Sequence, residues 1–308
     1  MKKSLIALAV AGALAAPMVA QADATLYGSL RVKMVDTDTQ EMDIADNSSR
    51  IGIKGSSELF SGAKAIYQFE QAVSSEAGAW AGGRLSYIGA TGDFGTAQIG
   101  RMWTPYALWT VFTTDIVDNG TSGSSGYVIG AHRTPETLAY ISPDMGGFQV
   151  AGAILTTDTD TSSDSEVANN ASVDVAHVAA KFEMAGFMGA VSYLGYDEDT
   201  TVSGGTYDDV TSVGLSYTLD ALYVGARYED RDLVAGDDEQ AWELAGSYSF
   251  GNTKLLANYI DDDANDDEKW SVEAQQKLGK QARVFAAYVE HGDDSIGNGV
   301  ELGYRVDF

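Results

Sequence analysis

The 308-residue chain has no cysteine, few bases and, beyond residue 22, no long apolar run. Each absence excludes something. Without cysteine there is no disulfide and no thiolate metal site, so an exported protein of this size must be held by its fold alone. Nineteen Lys and Arg face 45 Asp and Glu, a net charge of −26. That balance lacks the basic footprint of a nucleic-acid binder. It suits a chain that stays soluble during export, or one adapted to salt. The three histidines, His132, His177 and His291, have neither a nucleophile elbow nor a metal-binding helix motif beside them. Acid–base groups are thus scarce, and the chain reads as no enzyme, with no cofactor and no metal.

The first 22 residues read as an address. Lys2 and Lys3 precede the apolar run Leu5 to Leu14, and Ala20-Gln21-Ala22 offers the small-x-small pattern of a signal peptidase site. A membrane-spanning helix needs about 20 apolar residues, more than this run supplies, so a retained anchor is the weaker reading. Cleavage after Ala22 is expected, leaving 23–308 as one domain. The leader carries two lysines and no acid, so the remainder has a net charge of −28. With no later helical span, that remainder is either soluble or a membrane barrel, which hides apolar residues by alternation.

Alternation separates the two. From Val300 to Phe308 every even position is apolar and every odd one is charged or glycine. Successive side chains of a strand point to opposite faces, so this segment has one apolar and one polar face. The same beat sets Trp242, Leu244, Tyr248 and Phe250 against Ala241, Glu243, Ser247 and Ser249, and Leu26, Leu30, Val32 and Met34 against Tyr27, Ser29, Arg31 and Lys33. Sixteen strands are predicted, at 24–36, 48–57, 63–72, 83–92, 95–102, 133–143, 146–155, 171–183, 186–196, 207–219, 221–230, 240–250, 253–260, 269–278, 281–290 and 299–308. In 171–183 and 186–196 alanine and glycine blur the contrast between faces.

The connections alternate short and long. Asp93-Phe94, Leu219-Asp220 and Gly251-Asn252 carry the residues of tight hairpins. Residues 37–47, 73–82, 156–170, 197–206, 231–239, 261–268 and 291–298 form long ones. A closed barrel with short periplasmic turns and long external loops produces this rhythm, whereas a soluble sandwich has no reason to keep its long loops at one end. Tyr and Phe gathered near strand ends fit the aromatic girdles of such barrels. The acidic runs Asp261 to Glu268 and Asp158 to Asp164 lack the spacing and central glycine of an EF-hand. They read as solvated faces, with loose divalent bridging to lipopolysaccharide phosphates as the alternative.

Several stretches resemble the general porins of Gram-negative outer membranes: Ala24-Thr25-Leu26-Tyr27-Gly28, Ser49 to Gly55, Ala63 to Glu70, Gly92-Asp93-Phe94-Gly95 with Gly100-Arg101, and the terminal Phe308. The resemblance implies a closed sixteen-stranded antiparallel transmembrane β-barrel, a homotrimer, with the third long loop folded into the lumen. Residues 103–132, the longest gap between predicted strands, fall where that loop would be. The resemblance also implies an arginine ladder on one pore wall at Arg50, Arg101 and Arg133, and it makes Phe308 the signal read by the barrel assembly machinery. Two departures stand out. The acidic glycine-containing motif of many relatives is missing from the loop, and Ser29 replaces a familiar lysine.

Phase adds Arg31 and Arg84 to the ladder, because a charge on the lipid face costs about 2–4 kcal/mol at the midplane. Asp115 and Asp118 are the expected opposing carboxylates, with Glu136 weaker, and together they would set a transverse field across the constriction. The expected function is passive diffusion of ions and small hydrophilic solutes through an outer membrane, in contact with lipid and lipopolysaccharide. The alternatives are a channel selective for a sugar, phosphate or dicarboxylate, left open by Trp103, Tyr106 and Trp109, and a structural or adhesive barrel. Acids concentrate in loops while the lumen positions are basic, so whole-chain charge does not report ion preference.

Overall fold

The computed structural model describes residues 23–60, 62–121, 132–156, 167–168, 173–197, 201–202, 207–263, 267–292 and 297–308. The predicted leader, the acidic run from Asp158 to Asp164 and most of the Gly120–Gly126 stretch lie outside the described residues. Among the described residues sixteen long strands form the wall: β1 (Asp23–Thr37), β2 (Arg50–Phe60), β3 (Ala63–Ser74), β4 (Ala79–Gly92), β5 (Gly95–Trp103), β6 (Arg133–Ile141), β7 (Phe148–Leu155), β8 (Val175–Met184), β9 (Phe187–Tyr196), β10 (Tyr207–Leu219), β11 (Leu222–Leu233), β12 (Glu239–Phe250), β13 (Thr253–Asp262), β14 (Asp267–Lys277), β15 (Ala282–Glu290) and β16 (Gly299–Asp307). Each pairs antiparallel with its sequence neighbours.

The sheet closes through β1. Its first half, Asp23 to Ser29, pairs with Ser56 to Arg50 of β2, and Ser29 to Thr37 pairs with Asp307 to Gly299 of β16. Three short strands were not foreseen. Asp43–Asp46 folds back onto Val32 to Val35 of β1, and Val167–Ala168 pairs with Thr201–Val202. The fourth strand begins at Ala79 rather than 83, because β3 and β4 stay paired through register shifts beyond Glu70.

The wall is inverted relative to a soluble protein. Leu26 (64% exposed), Ile88 (65%) and Leu244 (55%) point outward, whereas the largest fully buried side chains begin with Arg227 and Arg231. An apolar coat of this extent is far beyond what a soluble monomer carries, and it fits a hydrocarbon surrounding.

The connection after β5 turns inward. Thr104 caps a short helix, α1 (Pro105–Trp109), by accepting from the Ala107 amide at 3.2 Å, with proline at the first helical position where its missing N–H costs nothing. Tyr106, Ala107 and Val111 are buried against Leu155, Val175, Leu194 and Val210 of the inner wall. Close approach there depends on glycine: a Cβ at Gly225 would lie 2.0 Å from the Thr113 carbonyl oxygen.

Candidate pore constriction

A buried ionic lattice anchors this inward segment. Arg227 on β11 binds Glu243 Oε1 of β12 at 2.6 Å and also Glu229, while Arg231 binds Glu229 at 2.7 Å and Asp262 of β13 at 2.8 Å. Tyr106 of α1 donates its hydroxyl to Glu229, and Thr114 donates to Glu243. The loop therefore completes the coordination of carboxylates that the wall arginines leave partly open. Breaking such a lattice by removing one partner strands a buried charge, at a cost of about 3–5 kcal/mol.

Beyond the lattice the segment crosses to the seam side. The Asn119 side chain donates to Ser271 Oγ (3.0 Å) and Glu273 (2.8 Å) of β14, and the Gly120 amide donates to Glu301 of β16 (3.0 Å). Asp118 meets Arg283 of β15, Arg305 of β16 (3.5 Å) and Arg31 of β1 (3.9 Å). Asn47, in the connection after β1, donates its side-chain amide to the Asp118 carbonyl at 2.7 Å.

Between loop and wall lies a cavity of about 520 Å3. Its charged lining comprises Arg31, Lys33, Arg50, Arg84, Arg133, Arg283 and Arg305 against Asp115 and Asp118. Several of these cations already hold carboxylates: Lys33 binds Glu301 at 2.9 Å, Arg84 binds Glu70 at 2.6 Å and Arg305 binds Asp307 at 2.8 Å. Including those partners, the excess of positive charge falls from five to two. Arg50 makes no ion pair within 4.0 Å among the described residues; Arg31, Arg84 and Arg305 of the cavity wall surround it at longer range, with Glu70 and Asp307. Arg133 lies over the Trp103 ring, 4.9 Å from its centroid.

The structure thus gathers Arg31, Arg50, Arg84, Arg133, Asp115 and Asp118 around one space. Arg101 is not in that lining. It pairs opposite Ser86 at a register shift between β5 and β6, and its Nε is buried without a hydrogen bond among the described residues. Glu136 is exposed, in a left-handed conformation (φ 48°) where β6 carries one extra residue opposite β5. Arg283 and Arg305 were not nominated from sequence, although Arg305 stands on the polar face of β16; nor was the Arg227–Arg231 lattice. Of the three loop aromatics only Trp103 reaches the cavity, since Tyr106 and Trp109 are buried. The terminal Phe308 exchanges both backbone hydrogen bonds with Gly28, at 2.9 and 3.0 Å.

Comparison with known proteins agrees with this architecture. A family model described as Gram-negative porin matches residues 7–295. The major outer membrane protein P.IB of Neisseria lactamica is 31% identical over 84% of this chain and 81% of its own length. A monosaccharide porin of a Halomonas species is 25% identical over 96% of this chain and 88% of its own. Among solved structures, the anion-selective porin from Comamonas acidovorans superposes with a TM-score of 0.74 at 18% identity, covering 93% of this chain and all of that one. An inside-out barrel with a charged interior and a family match over nearly its whole length leaves one assignment: the chain belongs to the Gram-negative porins, outer-membrane barrels through which solutes diffuse passively.

Proposed function

We propose that the arginine-lined cavity is the constriction of this channel and that it passes small anions in preference to cations. The observation that carries the reading is the preponderance of arginines in the lining, with Arg50 making no ion pair within 4.0 Å among the described residues. The chain's overall charge of −26 does not oppose it, because charges in distant loops are screened beyond a Debye length of about 10 Å at 0.1 M salt. Reversal potentials in a potassium chloride gradient test the reading, and a cation-selective potential would refute it.

A pore specialised for neutral sugars is less well supported, since Tyr106 and Trp109 are buried and, among the described residues, the cavity is lined by two aromatics alone, Trp103 and Phe112, packed edge-on to each other. Catalysis is likewise unsupported. His177 lies 2.7 Å from Ser192 Oγ, but among the described residues its Nδ1 has no hydrogen-bond partner to orient the ring as a base. Cleavage after Ala22, homotrimer formation and reading of Phe308 by the assembly machinery belong to the same proposal. They are checked by N-terminal sequencing, by sedimentation in detergent and by the folding yield of a chain lacking Phe308.

A further inference from the structure

Below the arginine-lined cavity, toward the short-turn end, the inner wall holds a second cavity of about 360 Å3. Its polar lining is of a different kind: hydroxyls of Thr218, Tyr223, Ser247 and Ser249, with one cation, Lys254, and one carboxylate, Asp220. The two cavities share no wall residue. Among the described residues, the side chains common to both belong to Phe112 and Ile116 of the inward segment. Both are half-buried. Phe112 is braced edge-on by Trp103 at 4.9 Å between centroids, and the adjoining backbone is fixed by the Tyr223 hydroxyl, which donates to the Thr113 carbonyl at 2.8 Å.

We propose that Phe112 and Ile116 form an apolar lip between two polar chambers and set the conductance of the pore through hydration, separately from the arginines that set its ion preference. A hydrated solute crossing the lip loses water contacts that neither side chain can replace, whereas on either side guanidinium, hydroxyl or ammonium groups restore them. Because the lip bears no charge, it hinders cations and anions alike. The inference rests on the channel function and does not depend on the anion preference proposed above.

The test uses Ile116→Asn, which replaces the branched apolar side chain by a smaller amide, with Ile116→Leu as the apolar control and Phe112→Tyr as a second polar variant, which adds a hydroxyl without widening the pore and keeps the ring against Trp103. Single-channel conductance and reversal potential are recorded in planar bilayers. The expected result is a conductance increase of about twofold for Ile116→Asn, equal to a barrier lowered by about 0.4 kcal/mol. Phe112→Tyr should shift in the same direction, Ile116→Leu should match the parent, and all reversal potentials should stay unchanged. The proposal is overturned if neither polar variant raises conductance, or if Ile116→Leu raises it equally, which would point to loosening of the loop. Failure of the anion reading would show as a cation-selective parent, before any variant is compared.

Discussion

Replacing Arg50 by alanine removes one positive charge from the cavity wall without breaking an ion pair among the described residues. In a water-filled lumen, unit charges about 5 Å apart interact by about 0.8 kcal/mol. Screening with a Debye length of about 10 Å at 0.1 M salt reduces this to about 0.5 kcal/mol. That energy changes the local occupancy of a monovalent anion about 2.3-fold. The same charge acts on cations with opposite sign, so the anion-to-cation permeability ratio should fall about fivefold by the same conversion. At 1 M salt the Debye length is about 3 Å and the change should shrink below about twofold. Reversal potentials at both salt concentrations measure it. Lys64→Ala is the control, because Lys64 is 55% exposed outside the cavity and pairs with Glu58 at 3.8 Å. A ratio unmoved at 0.1 M, or a shift that persists at 1 M, would refute the placement of Arg50 in the permeation path.

Other outcomes follow from the loop anchors. Asp118→Asn deletes the carboxylate shared by Arg31, Arg283 and Arg305; anion preference should rise and open-channel noise should increase in bilayer recordings. Glu243→Gln weakens the Arg227 lattice and should destabilise the folded barrel by up to about 3–5 kcal/mol, read from the temperature at which the compact band disappears on gels. Gly225→Val forces the Thr113 carbonyl away; conductance should change while the barrel still folds, as judged by circular dichroism. His132, in the connection before β6, has its pKa pushed down to about 3 by burial, with Arg227 and Arg133 adding to it. The unfolded chain therefore takes up this proton from about pH 6.5 downward and the folded one does not, so stability is lost as pH falls from about 6.5 toward 3. His132→Gln should flatten that part of the pH–stability curve.

How much of this was legible follows from where hydrophobic contrast exists. The strands showed because lipid lies on one face and polar groups on the other, which is why Leu26 and Arg31 could be assigned by parity alone. The contrast faded in β8 and β9 for a reason now visible: their inward faces carry Val175, Leu194 and Tyr196, which pack against α1 rather than face water. The helix itself has five residues with no periodic signal, so only tertiary contact defines it. Arg101 was nominated by motif, and it stands where the register between β5 and β6 shifts, so parity with Ile99 does not assign its side of the wall. The Arg227–Glu243 pair needs register as well as phase, because the two residues become neighbours only when β11 and β12 align. Arg283 and Arg305 were within reach, since parity alone puts them beside Phe285 and Glu301 on the inner face.

The reciprocal bonds between Gly28 and Phe308 put the end of the sequence five residues from the start of β1. A strand rises about 3.3 Å per residue, so a linker of about six residues could tie Phe308 to Asp23 at the short-turn rim. New ends could then be opened at the Gly251–Asn252 turn, giving a circularly permuted barrel with every ladder retained. Such a molecule would bury the terminal phenylalanine inside a continuous chain, and so would separate the closing of the cylinder from the proposed reading of its last residue.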